Sequence, residues 1–191
     1  MAEKSGASAL ILGGEWIRPA LPGGLLPDGS SSDAPDNAEE LWRMLFAEIR
    51  SRFRGKLIWT TPYKYIREEA SFLDDVDMIY VIVTKDDLID PSSGTSVDLD
   101  RFFEYQLLPF HILSGKPIIL ALDYPSDPDM ASQTSAYQNF LATAMQRNWI
   151  YGFVSRGFYP PVAMQDSSSS VHGKPASDLI SQWFYQLLGM Q

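Results

Sequence analysis

The chain has 191 residues, 45% of them hydrophobic, and its 15 basic and 24 acidic side chains leave a net charge of −9. This length and apolar content suit one folded domain with its own core. The acidic balance argues against a chain that tracks nucleic-acid phosphates or an anionic membrane surface.

Cysteine is absent, so disulfides, thiolate metal sites and a cysteine nucleophile drop out. No apolar run approaches the ~18 residues of a membrane helix. The opening Met1-Ala2-Glu3-Lys4-Ser5-Gly6 lacks the basic and apolar regions of a signal peptide. The compartment stays open, an extracellular one included if the chain belongs to a longer parent.

The first element is Ala9-Leu10-Ile11-Leu12, which runs into Gly13-Gly14-Glu15-Trp16. The strand-like run covers about 9–15, its apolar half reading as buried on both faces, as in a parallel sheet, with Ile11, Gly13 and Glu15 expected on one face. The glycines let the backbone bend where the strand surfaces, and Glu15 stands at its C-terminal end. A solvated loop residue is the plain alternative for Glu15. Further strand-like runs follow at 56–61, 77–84, 116–123 and 149–155.

Helical patterns lie between these runs. Asn37 or Asp36 is placed to cap a helix with Glu39 and Glu40 in its first turn. Trp42, Leu45, Phe46, Ile49 and Phe53 then form its expected buried stripe. A short helix is expected over 65–74. Another uses Leu99, Phe102, Phe103 and Leu107 until Pro109 ends or kinks it. A fourth uses Tyr137, Phe140, Leu141 and Ala144. The last starts at Pro175 and is expected to bury Leu179, Ile180, Trp183, Phe184 and Leu187.

Strand and helix alternate, so right-handed crossovers should leave the strands parallel. Helix-to-strand links are tight, as at Arg54-Gly55-Lys56 and Ser114-Gly115-Lys116. Strand-to-helix links are long, near 17–36, 85–97, 124–132 and 157–174. Elaboration at the strands' C-terminal ends is how a (β/α) barrel binds ligands. The expected class is therefore α/β, a partial TIM-like barrel of about five parallel strands in one domain over 1–191. Five strands cannot close a barrel that needs eight. Either the sheet is open, or the chain is the C-terminal part of a larger barrel whose first three strand-helix units precede Met1.

Several motifs, taken in order, resemble the second half (strands four to eight) of the (β/α)8-barrel glycoside hydrolases of the retaining kind. Gly13-Gly14-Glu15 resembles the end of their fourth strand, which carries the acid/base glutamate. Leu57-Ile58-Trp59 is similar to the fifth strand, and Val76-Asp77-Met78-Ile79-Tyr80-Val81 to the sixth. Lys116-Pro117-Ile118-Ile119 and Tyr124-Pro125-Ser126 match the two ends of the seventh. Trp149-Ile150-Tyr151-Gly152 and Gly173-Lys174-Pro175-Ala176 fit the eighth. The likeness covers about 9–187. One departure stands out: the seventh strand has Ala121 and Leu122 where the resemblance implies a nucleophilic glutamate, and the nearest carboxylate is Asp123. Either Asp123 substitutes, or the nucleophile is gone.

The resemblance implies a polysaccharide or oligosaccharide as substrate. Glu15 would be the proton donor, its pKa raised by apolar walls such as Trp16, and Asp123 the nucleophile or water-activating base. Retention needs carboxyls about 5–5.5 Å apart and inversion about 6.5–9.5 Å. Trp16, Trp59, Tyr80 and Tyr124 are the expected sugar-contacting rings, with core packing as the rival role for Tyr80. Arg156 is set to bond a hydroxyl or to form a salt bridge.

No cofactor or metal is expected. His111 and His172 lack metal-ligand spacing, and Asp86, Asp87, Asp90, Asp127 and Asp129 read as solvated acidic turns, with a calcium ion as the rival reading. Carbohydrate is the expected partner. A missing N-terminal barrel half, or self-association, would cover exposed strands. Two other readings stand: a non-catalytic carbohydrate-binding or degenerate scaffold, and an open sheet binding another small ligand.

Overall fold

The computed structural model describes residues 6–67, 71–161 and 166–189. The apolar runs form one five-stranded sheet in the order β1-β2-β3-β4-β5. The strands are β1 (Ala9–Gly13), β2 (Lys56–Pro62), β3 (Met78–Thr84), β4 (Ile118–Asp123) and β5 (Ile150–Ser155). Between and after them lie α1 (Ala38–Arg52), α2 (Leu99–Phe102), α3 (Leu108–Ser114), α4 (Met130–Ala144) and α5 (Pro175–Leu187). Sequential parallel strands joined by helical crossovers make the wall of a (β/α) barrel. The chain therefore has a partial TIM-like α/β fold. Loops after β1, β3 and β5 are long, while the links into β2, β4 and β5 are short. No helix of the described residues is long and apolar enough to cross a membrane.

By its contacts the chain forms two compact units, Met1–Ile82 with Phe110–Ile118, and Val83–Pro109 with Ile119–Gln191. The first is built on aromatic packing. The Trp59 ring lies 4.9 Å from Phe72 and 5.3 Å from Trp42, both edge-on, with Phe46 completing the cluster. Asp77 ties β2 to α1: its carboxylate accepts from the Leu57 N–H at 2.7 Å and from Arg50. Partial burial alone would raise its pKa. The Leu57 bond and the Arg50 guanidinium outweigh that and hold it below the usual carboxylate range.

In the second unit, Tyr137, Phe140, Leu141 and Ala144 of α4 are fully buried, as their spacing predicts. Phe153 of β5 packs on them, 6.0 Å from Tyr137 and 6.1 Å from Phe140.

Other expectations need correction. Asn37 sits at the N-cap of α1 but makes no side-chain capping bond. Leu45 is 43% exposed, because Trp42 and Phe46 turn the helix so that Leu41, Met44 and Leu45 face outward. The segment 65–74 is not one helix: single 3-10 turns at Tyr63–Tyr65 and Leu73–Asp75 flank it, and residues 68–70 lie outside the described part. Of the two outcomes expected at Pro109, the helix is distorted and not ended. A π-helical turn, Phe103–Leu107, joins α2 to α3 just before it. Proline has no N–H for the preceding carbonyl ladder, and a widened turn relieves that mismatch. On α5 only Ala176 and Ile180 are buried, while Phe184 and Leu187 are exposed.

Candidate functional site

In the first unit the register aligns Leu12 with Trp59 and Trp59 with Ile79. Parallel partners share a face, and Trp59 packs on α1. This whole row is therefore the helix side. Gly13, Thr60 and Tyr80 form the next row and point the other way. Trp59 is only 2% exposed, its ring enclosed by Phe72, Trp42 and Phe46. The expectation that it stacks on a sugar is thus corrected: its ring belongs to the core. Tyr80 is half-buried on the helix-free side.

β1 ends at Gly13, so strand alternation does not reach Glu15. Gly13 has φ +95° and Gly14 φ +137°, and the Gly14 N–H donates to the Thr60 carbonyl at 3.1 Å. This double-glycine bend, and not the pleat, sets where Glu15 starts. Glu15 is exposed, and Trp16 beside it is 80% exposed, so Trp16 offers an open ring rather than an apolar wall.

In the second unit Asp123 is the last residue of β4. A Cβ on Gly152 would meet Ile119 at 3.8 Å, which puts Ile119, and with it Ala121 and Asp123, on the face shared with Gly152. Phe153 and α4 occupy the opposite face. Arg156 follows β5 and extends its ladder, its N–H bonded to the Leu122 carbonyl at 3.1 Å. Arg156 Nη1 lies 3.8 Å from Asp123 Oδ2, so of its two expected roles the ion pair is formed. Tyr124 follows Asp123, with Lys85 Nζ 5.9 Å from its ring centroid. Lys85 also donates through Nζ to the Asp127 carbonyl at 2.7 Å, and its backbone N–H bonds the Asp123 carbonyl at 3.1 Å. The sequence offered no signal for Lys85, a single lysine after a strand.

Tyr137 lies beneath this strand end. Its hydroxyl donates to the Leu122 carbonyl at 3.1 Å and pairs with Ser155 Oγ at 3.0 Å. Burial pushes its pKa up to about 12; the Ser155 bond opposes this, and the nearby Asp123 charge adds to it. A pKa raised by folding favours the native state fully below the unfolded value of about 10 and progressively less as pH climbs toward 12. Tyr137 should therefore remain protonated until about pH 12. Ultraviolet titration of wild type against Tyr137→Phe checks this. A phenol ionising near pH 10 contradicts the buried, bonded hydroxyl.

The acidic turns and histidines have structural partners. Asp87 binds the Thr84 N–H and hydroxyl, Asp90 binds Ser92, and Asp129 caps α4 through the Ser132 N–H. His111 Nδ1 lies 2.8 Å from the Lys116 carbonyl. His172 packs edge-on against Phe158 at 5.0 Å. Among the described residues no group of three potential ligands is placed to hold a metal.

No protein-family model matches the chain, and no curated protein matches it. Solved structures do. A GH113 β-mannanase from Alicyclobacillus acidocaldarius, in complex with ManMIm, aligns with a TM-score of 0.68 at 19% identity over 97% of this chain and 57% of that one. A complex structure of a GH113 β-1,4-mannanase gives 0.67 at 23%, over 96% and 57%. A β-glucuronidase from Ruminococcus gnavus, bound to uronic deoxynojirimycin, gives 0.60 at 11%, over 78% and 30%. These are TIM-barrel glycosidases, and this chain has a glycoside-hydrolase-like fold that spans about 57% of the mannanases' length.

Proposed function

We propose that the chain is a glycoside-hydrolase-like domain that acts on or binds an oligosaccharide or polysaccharide. Glu15 is the proton donor, and Asp123 the nucleophile or water-activating base. In this reading β1 corresponds to the fourth strand of a glycosidase barrel and β4 to the seventh. The carrying observation is that Asp123 is the last residue of β4 and Glu15 lies two residues past the end of β1, the side on which such folds place their chemistry. A glycosidase needs one protonated and one ionised carboxyl. The open ring of Trp16 supplies a stacking surface beside Glu15, with Tyr80, Tyr124 and Arg156 as further sugar contacts.

The similarity to β-1,4-mannanases makes β-mannan the first substrate to try, followed by other β-linked glycans. Glu15→Gln should lower kcat by about 10²–10⁴-fold while glycan affinity holds. A variant unchanged in both turnover and binding ends the proposal.

A second reading, a non-catalytic glycan binder, is favoured by one feature. Ala121 and Leu122 are fully buried where a nucleophilic glutamate is expected, and Asp123 already has Arg156 as its partner. Glycan binding by wild type with no turnover of any β-glycan selects this reading.

A further inference from the structure

We propose that the strand-end surface beside Glu15 reads an anionic group on the sugar, a carboxylate or a sulfate ester, through Arg18 and Lys64. This rests on the glycan reading above and names the substrate class within it. The surface lies wholly within the first unit. Gly13 is level with Thr60 in the strand register, and the Gly14 N–H bonds the Thr60 carbonyl. The Glu15–Arg18 and Pro62–Tyr65 segments therefore leave the sheet side by side at the same end. One contact joins them: the Arg18 guanidinium carbon lies 4.8 Å from the centre of the Tyr65 ring. Lys64 Nζ lies 5.0 Å from the same centre. Two positive charges thus stand within about 10 Å of each other and repel. Arg18 comes three residues after Glu15 and two after the open ring of Trp16.

Two observations point to an anion. The first is pairing. Elsewhere in this chain of net charge −9 the cations lie on carboxylates, as Arg43 does on Asp75, Arg50 on Asp77 and Arg147 on Asp100. Lys64 differs. Among the described residues it meets no carboxylate, only the Tyr65 ring. The second is the shared ring. A π face attracts cations, but it cancels no charge. An anion that approaches Tyr65 between the two side chains relieves their repulsion and takes charge-assisted hydrogen bonds from both. Arg18, Lys64 and Tyr65 all keep exposed surface, so a ligand reaches them from solvent. The net charge also limits the ligand's size. It repels a long polyanion, which selects a short oligosaccharide carrying few charges.

Matched ligands test this. A short β-1,4-linked oligosaccharide of mannose and the same oligosaccharide of mannuronate differ in whether C6 is an alcohol or a carboxylate. A sulfated form of the first is the third ligand. Isothermal titration calorimetry at about 0.05 M salt should show a charged ligand bound about tenfold or more tightly than the neutral one. Whichever charged form binds tighter names the group that is read, and either supports the site. Lys64→Gln should remove most of the preference, and Lys64→Arg should keep it. Lys56→Gln removes the same charge at the other end of β2 and should leave the preference as it is. Raising salt to about 0.5 M should narrow it.

If neither charged ligand binds more tightly than the neutral one, the proposal is overturned and the glycan reading stands. A preference that survives Lys64→Gln, that Lys56→Gln removes as well, or that salt leaves untouched also overturns it, since the charge then acts elsewhere. Binding of none of the three ligands sinks the proposal and the glycan reading together.

Discussion

Gly13→Ala is expected to lower stability by about 3–4 kcal/mol, more than an ordinary surface change by several-fold. Two costs combine. Gly13 sits at φ +95°, a region where a Cβ costs roughly 1–2 kcal/mol. That Cβ would also lie 2.4 Å from the Thr60 carbonyl oxygen. The obstacle is backbone of the buried strand β2, so no rotamer can yield. Relief requires parting β1 from β2 at their C-terminal ends, and with it the Gly14 N–H bond to the same carbonyl. Glu15 would move with them, so on the proposed glycan reading turnover or binding should fall further than stability alone explains. Gly29→Ala is the comparison: its φ is +84° but nothing lies within 4 Å of the added carbon. Urea unfolding of both variants decides it, because equal losses would mean conformational strain alone and no collision.

The alternating fold was legible because its parallel strands are apolar on both faces and stand out as unbroken runs. α4 was legible because its narrow apolar stripe has the helical period and is covered along its length, with Phe153 and Phe103 packed on it. The same rule misled on α1 and α5, whose apolar arcs are wider. Periodicity reports that Leu45, Phe184 and Leu187 join an apolar face, but not whether anything packs against it. The 65–74 segment failed for a related reason, since Ile66, Phe72 and Leu73 are buried without an α-helix.

Site residues divided along the same line. Asp123 could be placed at a strand end from the chain order, and Glu15 near one from the glycines, although β1 stops two residues short of it. Trp59 could not be assigned a face, because a strand buried on both sides has no polar alternation to show which parity meets a helix. Its neighbour Thr60 has the opposite parity and lines the row of Gly13 and Tyr80. Arg156 was open between two partners, and only the geometry pairs it with Asp123. The bonding of the lysines that organise the second unit's loops was invisible, although Lys174 stood in a motif. Lys174 reads as a loop cation before Pro175, yet its side chain is 3% exposed.

That burial makes Lys174→Met the other large expected loss, about 3 kcal/mol. The ammonium has three donors and spends them on Ser126 Oγ at 3.0 Å, the Ser168 carbonyl at 2.9 Å and Asp166 Oδ2 at 3.0 Å. Methionine fills similar space but leaves these acceptors without their donor and Asp166 without its cation. The cluster also fixes the loop that carries Tyr124 beyond Asp123, since Ser126 Oγ donates to the Asp166 carbonyl and Gln133 Nε2 to the Tyr124 carbonyl. Lys174 and then the Ser168 hydroxyl hold the Asp166 carboxyl below its ordinary 3.8. A carboxyl depressed by folding contributes its stability above the unfolded value and loses it as pH falls through the folded one. The deficit of Lys174→Met against wild type should thus be full at pH 7 and narrow below pH 4, as protonated Asp166 leaves the wild-type lysine unpaired. Urea unfolding at pH 7 and pH 3 measures both gaps, and a gap of constant size would show that the ion pair does not stabilise this loop.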